Sequence, residues 1–415
     1  DLGWTDLGCY GSSFYESPNI DKLASEGMKF TRAYCAGSVC SPTRASIVTG
    51  QVPARIGCTQ YHGSIRGTEL CFADVLRKHG YETFFTGKWH VGGKTPEEAG
   101  FKFSVATSSS SKDPRDPKRT RQITQNTLDF LSKQTSDQPF MAYVNYHAVH
   151  KPLLEKQALV DKYQAKLTTH PPKAGSPKGL ETEGKLKNKQ IQDDPFYAAM
   201  VAGIDASVGR ILTFIKDNGF EDNTLVLFSS DNGGLSTKNC TSNLPLRAGK
   251  GWLYEGGVRV PTIMKWPSVV KPGSVSRVPI YSTDYFPTFL SAAGIPLLPE
   301  DHVDGYDLVP LLTDGTAPSR DTYYWHYPHD HKAGNQPSGS ILVGRYKLVT
   351  FFRTKTVELY DLENDLSELK DLSSAMPKKT QELLTTLQTW QKTLPDISYG
   401  TPERSNPLTG VRKQK

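Results

Sequence analysis

The sequence contains few cysteines, and they follow no regular spacing. Six cysteines occur in 415 residues, at positions 9, 35, 40, 58, 71 and 240. Disulfide frameworks and zinc ribbons depend on regularly spaced cysteines, so this pattern indicates neither of them. The cysteines therefore leave the redox compartment of the protein open.

Long hydrophobic runs, internal repeats and nucleic-acid-binding motifs are also lacking. No run predicts a membrane span, and hydrophobic residues make up only 37% of the chain. The net charge of +6 is modest, and much of the excess lies between Lys151 and Lys189. This lysine-rich segment is interpreted first as a solvated insertion and second as a surface that attracts a polyanionic substrate.

The chain does contain a regular alternation of strand-like and helical patterns. Residues 198–216 carry apolar side chains at helical spacing, and residues 19–26 predict another helix with Gly27 as its C′ glycine. Such alternation is typical of an α/β layered domain. We predict one large domain over residues 1–318 and a smaller C-terminal subdomain over residues 319–415.

The pattern changes after residue 320. Three β-rich runs, at residues 341–343, 346–352 and 357–360, predict an antiparallel meander. Residues 377–393 predict an amphipathic helix with leucines and a tryptophan on one face. The C-terminal subdomain should therefore consist of a small antiparallel sheet and a helix.

Polar residues follow two of the strand-like runs. Asp231 and Asn232 come after an apolar run and before two glycines, which predicts a strand that ends in a ligand loop; an ordinary turn is the alternative. Their oxygens suit a hard cation such as calcium or magnesium. His147 and His150 follow another run, but a zinc site is disfavoured because the other candidate ligands are oxygens.

Several short blocks occur in order along the chain. They are CSPTRASIVTG at residues 40–50, GKWHVGG at 87–93, HAVHKP at 147–152, DNGG at 231–234 and LRAGKGWLYEGGVRVP at 246–261. Together the blocks resemble the signature motifs of the type I sulfatases, which belong to the alkaline-phosphatase-like superfamily. The resemblance covers roughly residues 1–390 and rests on the joint appearance of the blocks in family order.

The resemblance implies the fold and the reaction. The fold would be an alkaline-phosphatase-like α/β/α sandwich with a small C-terminal subdomain of antiparallel sheet and helix. In this family a formylglycine-generating enzyme oxidises the cysteine at the position of Cys40 to formylglycine. Hydrolysis of a sulfate monoester needs a strong nucleophile, cations around the sulfuryl oxygens and an acid for the leaving alcohol. The hydrated aldehyde, a geminal diol, would be that nucleophile.

The resemblance also implies a metal site and a set of catalytic residues. The metal is calcium, or magnesium in its place, and its ligands would be Asp1, Asp231, Asn232 and the modified Cys40. Asp231 would in addition take a proton from the diol. The remaining catalytic and sulfate-binding residues would be Arg44, which steadies the diol, and Lys88, His90, His150 and Lys250, which bind sulfate and transfer protons.

The first metal loop of the family carries two adjacent aspartates after a hydrophobic strand. Asp1 aligns with the second aspartate of that pair. We therefore expect a strand and a further aspartate ahead of Asp1.

The substrate is expected to be a sulfated saccharide. The segment 324–331 is rich in aromatic and histidine side chains that stack on sugars or bond their hydroxyls. We predict His329 and His331 as substrate contacts; a structural cluster at the domain junction is the alternative. A sulfated galactose or N-acetylgalactosamine unit is the expected target. No nucleic-acid partner is expected.

Two other functions remain open at this stage. One is a phosphodiesterase or phosphonate hydrolase of the same superfamily, and the other is an inactive glycan-binding relative. Polysaccharide sulfatases are usually exported, so the resemblance implies a secreted or periplasmic protein that degrades glycans.

Overall fold

The computed structural model describes residues 1–172 and 179–395. The helices of these residues are α1 (Pro18–Glu26), α2 (Cys40–Thr49), α3 (Phe72–Lys78), α4 (Thr120–Leu131), α5 (Gln157–Thr169), α6 (Pro195–Asp217), α7 (Glu255–Val258), α8 (Tyr285–Ala292), α9 (Val309–Thr313) and α10 (Pro377–Gln391). Short 3-10 turns occur at Gly8–Tyr10, Glu221–Asn223 and Ser282–Asp284.

The strands of the large domain are β1 (Met28–Phe30), β2 (Ala33–Tyr34), β3 (Glu82–Gly87), β4 (Phe103–Ala106), β5 (Phe140–Asn145), β6 (Thr182–Glu183), β7 (Leu186–Lys187), β8 (Val226–Phe228), β9 (Thr262–Lys265), β10 (Ser274–Ser276) and β11 (Ile280–Tyr281). Strands β4-β3-β5 form a parallel sheet. Strands β10-β1-β9-β8 form a mixed sheet.

Helices cover both faces of the parallel sheet. Phe84 of β3 stacks on Phe130 of α4, with ring centroids 4.5 Å apart. The next residue, Phe85, points to the opposite face and joins the core that contains Phe72 of α3 and Phe286 of α8. Successive residues of a strand face opposite sides, so this alternation buries β3 between two helical layers. The predicted α/β/α sandwich is confirmed.

A cavity of about 590 Å³ separates the two sheets. All residues of β5 and β8 line it, and in the described chain each of these strands is an edge strand. Both strands are only partly buried, although they lie inside the domain. The cavity offers room between the sheets for a strand; the expected strand ahead of Asp1 stays a prediction.

Helix α6 corrects the prediction about membrane spans. Its 23 residues are long and apolar enough, by length and composition, to cross a membrane. In the structure the helix packs against α1, α4 and α5, and its buried residues belong to a core of the large domain. This apolar surface is therefore accounted for by packing within the domain.

Gly27 ends α1 for a different reason from the one predicted. A C′ glycine usually adopts a left-handed conformation. Gly27 is instead extended, with φ −129° and ψ −156°. A Cβ atom at this position would lie 2.4 Å from the carbonyl oxygen of Met264 in β9. Glycine is needed here because the backbone of β9 passes so close.

The C-terminal subdomain has the predicted sheet and helix. Strands β12 (Thr322–Tyr327), β13 (Ser338–Val343), β14 (Tyr346–Phe351) and β15 (Thr356–Asp361) pair in order, all antiparallel, and α10 packs on this sheet through Leu383 and Leu387. The segment predicted to contact sugars begins inside β12. Residues 396–415 of the predicted subdomain, and residues 173–178 of the lysine-rich segment, lie outside the described residues. The boundary at residue 318 stays a prediction.

A buried charge cluster joins the subdomain to the large domain. Lys347 of β14 lies 2.9 Å from a carboxylate oxygen of Glu255 in α7 and 3.3 Å from one of Glu368, and all three side chains are buried. Burial, assisted by the neighbouring carboxylate of Glu255 and opposed by Lys347, raises the pKa of Glu368 to about 7. Ionised Glu368 is therefore disfavoured in the folded protein.

This pKa predicts a pH dependence of stability. A carboxyl group whose pKa is raised by folding contributes stability below its unfolded pKa, 4.5, and loses it as the pH rises through 7. The free energy of unfolding should therefore fall less between pH 5 and pH 8 in E368Q than in the wild type. Denaturant titrations at several pH values measure the difference. The exposed Glu363 provides the control E363Q, and equal slopes in all three proteins would contradict the prediction.

Candidate active site

Cys40 is the first residue of α2 and is fully buried. Lys250 Nζ donates a hydrogen bond of 3.1 Å to its Sγ, and Oδ1 of Asp1 lies 3.6 Å from the same sulfur. Burial alone would raise the pKa of the Cys40 thiol, but Lys250 and Lys88 outweigh burial and lower that pKa to about 7. Position 40 thus lies in a cationic pocket that favours an anion.

Arg44 lies one helical turn after Cys40 and joins three of the predicted blocks. Its Nε and Nη2 atoms donate hydrogen bonds of 3.0 and 2.8 Å to Oδ2 of Asp231. Its Nη1 donates a bond of 2.7 Å to the carbonyl oxygen of Lys88. The loops that follow β8 and β3 are therefore both fixed to α2 by one planar side chain.

The carboxylate of Asp1 lies at the centre of the cluster. Its Oδ1 accepts hydrogen bonds from Lys250 Nζ at 2.6 Å and from Asn232 Nδ2 at 3.0 Å. The backbone nitrogen of Asp1 lies 2.5 Å from Oδ1 of Asp231. Although burial raises the pKa of Asp231, the neighbouring cations, among them Arg44, Lys88 and Lys250, hold it well below its usual range.

The donor atoms in this cluster fit a hard cation. Oδ1 of Asn232 is buried and has no hydrogen-bond partner in the described chain. A buried amide oxygen without a partner costs free energy that a cation would recover. It lies beside the carboxylates of Asp1 and Asp231, and ligand atoms of Asp1, Cys40 and His150 lie within 4.8 Å of one another. Carboxylate and amide oxygens are ligands that calcium and magnesium prefer.

His150 faces the same cluster with one ring nitrogen. Its Nδ1 lies 2.6 Å from the carbonyl oxygen of Lys151, which holds the ring proton at that nitrogen. Its Nε2 lies 3.9 Å from Oδ2 of Asp1. Burial, then Lys250 and Lys88, lower the pKa of His150 to about 3. The ring is therefore neutral at physiological pH, with a lone pair on Nε2.

His147 lies outside the cluster. Its Nε2 atom is 2.9 Å from Oγ1 and 3.0 Å from the carbonyl oxygen of Thr107. These contacts tie the end of β5 to the loop after β4. His147 therefore connects two loops beside the cluster.

Two residues near the cluster, Lys118 and His62, are not predicted from the sequence. Lys118 is buried, and its Nζ has no partner among the described residues. Burial and the charge of Lys88 lower the pKa of Lys118 to about 8. His62 forms a hydrogen bond of 2.9 Å with His90. No motif singles out either residue, because a lone lysine or histidine in a loop is usually a solvated surface residue.

The two predicted sugar contacts lie on the C-terminal side of the site. Nε2 of His329 lies 2.9 Å from Oγ1 of Thr59. The ring of His331 packs against Gly251, where a Cβ atom would approach Nδ1 of that ring to 2.1 Å. Gly251 follows Lys250, so His331 adjoins the loop of the Cys40 cluster. Neither ring hydrogen-bonds that cluster in the described part of the chain.

Comparison with known protein families identifies the class. The sequence model of the Sulfatase family matches residues 1–295, and that of the N-sulphoglucosamine sulphohydrolase C-terminal region matches residues 248–394. The chain therefore belongs to the sulfatase family. It is an enzyme of the class that hydrolyses sulfate esters.

Curated relatives cover most of this chain. A sulfatase of Formosa agariphila is 28% identical over 91% of this chain and 84% of its own length. N-acetylgalactosamine-6-sulfatase of Mus musculus is 30% identical over 92% of this chain and 76% of its own length. Human arylsulfatase A is 31% identical over 94% of this chain and 85% of its own length.

Solved structures share the fold over almost the whole chain. Ps i-CgsB in complex with k-i-k-neocarrahexaose is similar with a TM-score of 0.80 and 26% identity, over 95% of this chain and 91% of that one. The phosphonate monoester hydrolase of Agrobacterium radiobacter has a TM-score of 0.73 and 21% identity, over 94% of each chain. The second likeness shows that the fold is shared, and nothing about the reaction.

Proposed function

We propose that this sulfatase uses a formylglycine formed from Cys40 and a calcium ion to release sulfate from a saccharide. The observation that carries the proposal is the environment of Cys40, which is buried between Lys250 Nζ at 3.1 Å and the Asp1 carboxylate at 3.6 Å. A cysteine that only packs in a hydrophobic core behaves as a small apolar residue and does not require charged groups beside its sulfur.

The two added groups would supply the nucleophile. Formylglycine at position 40 would provide a geminal diol that attacks sulfur and can later return to the aldehyde. Calcium, held by oxygens of Asp1, Asp231 and Asn232, would lower the pKa of a hydroxyl bound to it. Magnesium fits the same type of ligand but demands a stricter geometry.

The side chains around position 40 would bind the sulfate and move protons. Lys88 and Lys250 place two ammonium groups where negative charge develops on the sulfuryl oxygens. Lys250 Nζ would donate a proton to the leaving oxygen, beside the neutral ring of His150. Arg44 keeps the Asp231 carboxylate in place, and Asp231 would take a proton from the attacking hydroxyl.

His90 would complete the catalytic cycle as a base. Its Nδ1 is buried and has no partner among the described residues. Burial, then Lys88 and His62, lower the pKa of His90 to about 2, so the ring is neutral. This neutral ring nitrogen would remove the proton whose loss regenerates the aldehyde.

A sulfated galactose or N-acetylgalactosamine is the proposed substrate unit. Support comes from the names of two similar proteins, N-acetylgalactosamine-6-sulfatase and the protein bound to a neocarrahexaose. Support also comes from the position of His331, whose ring packs against Gly251, the residue after Lys250. Substrates of this kind and a maturation step by a formylglycine-generating enzyme are consistent with a secreted or periplasmic protein, which we also propose.

The mass of the peptide that contains Cys40 tests the nucleophile. In protein from its native source we expect the mass of an aldehyde residue in place of the thiol. C40A should lower sulfatase activity by roughly a thousandfold or more, because the nucleophile is lost. The half-buried Cys9 provides the control variant C9A. A fully active enzyme with an unmodified thiol at position 40 would sink the proposal.

Calcium titration tests the metal site. Wild-type protein should bind one calcium ion per chain, and N232A should bind it about tenfold more weakly or worse because an oxygen ligand is lost. Isothermal titration calorimetry gives both affinities. N243A is the matched control, since Oδ1 of Asn243 is also buried and has no hydrogen-bond partner among the described residues. A wild-type protein without a measurable site would favour the inactive glycan-binding relative.

Matched substrates separate the sulfatase from a phosphonate or phosphodiester hydrolase. Aryl sulfate should be hydrolysed at least about a hundredfold faster than the matched aryl phosphonate or phosphodiester. Sulfated galactose and N-acetylgalactosamine should be better substrates than sulfated glucosamine. H329A and H331A should raise KM for the saccharide but not for the aryl sulfate, with the exposed His170 as control in H170A. Equal KM values in all variants would leave both histidines with a structural role.

A further inference from the structure

The loop 61–65 lies directly against the loop that carries His90. The amide of Ile65 donates a hydrogen bond of 3.0 Å to the carbonyl oxygen of Gly92, and the amide of Gly92 donates one of 3.0 Å to that of Gly63. A Cβ atom at Gly92 would lie 2.1 Å from Oγ of Ser64. The two loops are therefore joined by a parallel β-bridge between Ser64 and Gly92, and glycine permits this close approach.

Two histidines, one from each loop, have an unusual backbone conformation. His62 has φ +65° and His90 has φ +57°. Left-handed backbone is uncommon for residues other than glycine. It costs free energy, so it persists only where the surrounding structure enforces it. The amide of His62 donates a bond of 3.1 Å to Oγ of Ser41, the residue after Cys40. Helix α2, which begins at Cys40, therefore also holds the backbone of His62 in place.

The strained backbone brings the two imidazole rings together. Nδ1 of His62 lies 2.9 Å from Nε2 of His90, and the ring centroids are 4.6 Å apart at an interplanar angle of 80°. The ring of Tyr61 packs edge-on against both, at 4.0 Å from His62 and 5.0 Å from His90. His62 is exposed, whereas Nδ1 of His90 is buried. The two histidines therefore extend from the solvent-exposed ring of His62 to the buried Nδ1 atom of His90.

We propose that His62 is a positioning residue for His90. It accepts the Nε2 proton of His90 on its own Nδ1, which fixes the tautomer of His90 that leaves a lone pair on the inward Nδ1. The proposal deepens the function proposed above, since it names the group that orients the base of that site. The charges of Lys88, Arg44 and Asp231 act on the His90 ring, and in the described chain none of these residues bonds its Nδ1.

Geometry favours this direction of the hydrogen bond. If His90 carried its proton on Nδ1, that N–H would be buried and would have no acceptor among the described residues. A buried donor without a partner costs more than a hydrogen bond gains. With the proton on Nε2, the N–H group of His90 has an acceptor in Nδ1 of His62. The exposed ring of His62 can in turn donate a hydrogen bond to water.

Nitrogen NMR of the imidazole rings tests the tautomer without relying on catalysis. In wild-type protein labelled with nitrogen-15 in histidine, neutral His90 should show a protonated Nε2 and an unprotonated Nδ1; H90N assigns the signals. In H62L this preference should be lost. In H62N it should remain, because the side-chain oxygen of asparagine can replace Nδ1 as acceptor. Protonated Nδ1 in the wild type would overturn the proposal, even if H62L does not fold.

Kinetics test the consequence for the reaction. With an aryl sulfate, H62L should lower kcat by about tenfold or more and leave KM within about twofold, and H62N should recover most of the rate. H79L, at an exposed histidine that bonds the carbonyl of Val75, is the control. Formylglycine content is measured in each variant so that poor maturation is not mistaken for slow chemistry. A wild-type kcat in H62L would overturn the proposal, whereas an inactive wild type with the expected tautomer would refute the proposed function alone.

Discussion

The ion pair between Arg44 and Asp231 is the interaction on which the site depends. Each residue is almost completely buried, and the guanidinium bonds both the carboxylate and the backbone of Lys88. A buried charge without its partner is strongly destabilising, so neither residue can be lost alone. The pair therefore fixes the distance between α2, which begins at Cys40, and the ends of β3 and β8, which Lys88 and Asp231 follow.

The charge balance of the cluster explains why it would bind an anion. Arg44, Lys88 and Lys250 are cations, and Asp1 and Asp231 are the two carboxylates near them. A divalent cation would increase the excess of positive charge, and Lys118 lies buried near Lys88 with no hydrogen-bond partner in the part of the chain that the structure describes. An excess of buried cations costs free energy in the empty protein and is offset when a sulfate group enters.

The residues that the motifs predicted for one site lie together because several of them stand where strands and helices begin or end. Cys40, Asp231 and Asn232 each lie at such an end, and ligands that end neighbouring elements meet at one edge of the sheet. The sequence also predicted the α/β/α layers of the large domain and the antiparallel sheet of the C-terminal subdomain. Sequence reasoning mistook the role of Gly27, and it did not recognise that α6 is long and apolar enough to cross a membrane. It could not find His62, since its contact with His90 depends on two loops pairing and on left-handed backbone that no local pattern encodes.

The loop that carries Lys250 shows why the C-terminal subdomain belongs to the site. Nε1 of Trp252 donates a bond of 2.9 Å to the carbonyl oxygen of Ala333, and Nδ2 of Asn335 donates one of 2.7 Å to that of Gly251. The segment after β12 thus holds the backbone on the C-terminal side of Lys250. If the substrate contacts His331 as proposed, it would press on Gly251, the residue after Lys250, and binding at this wall would act on the position of the Lys250 ammonium group.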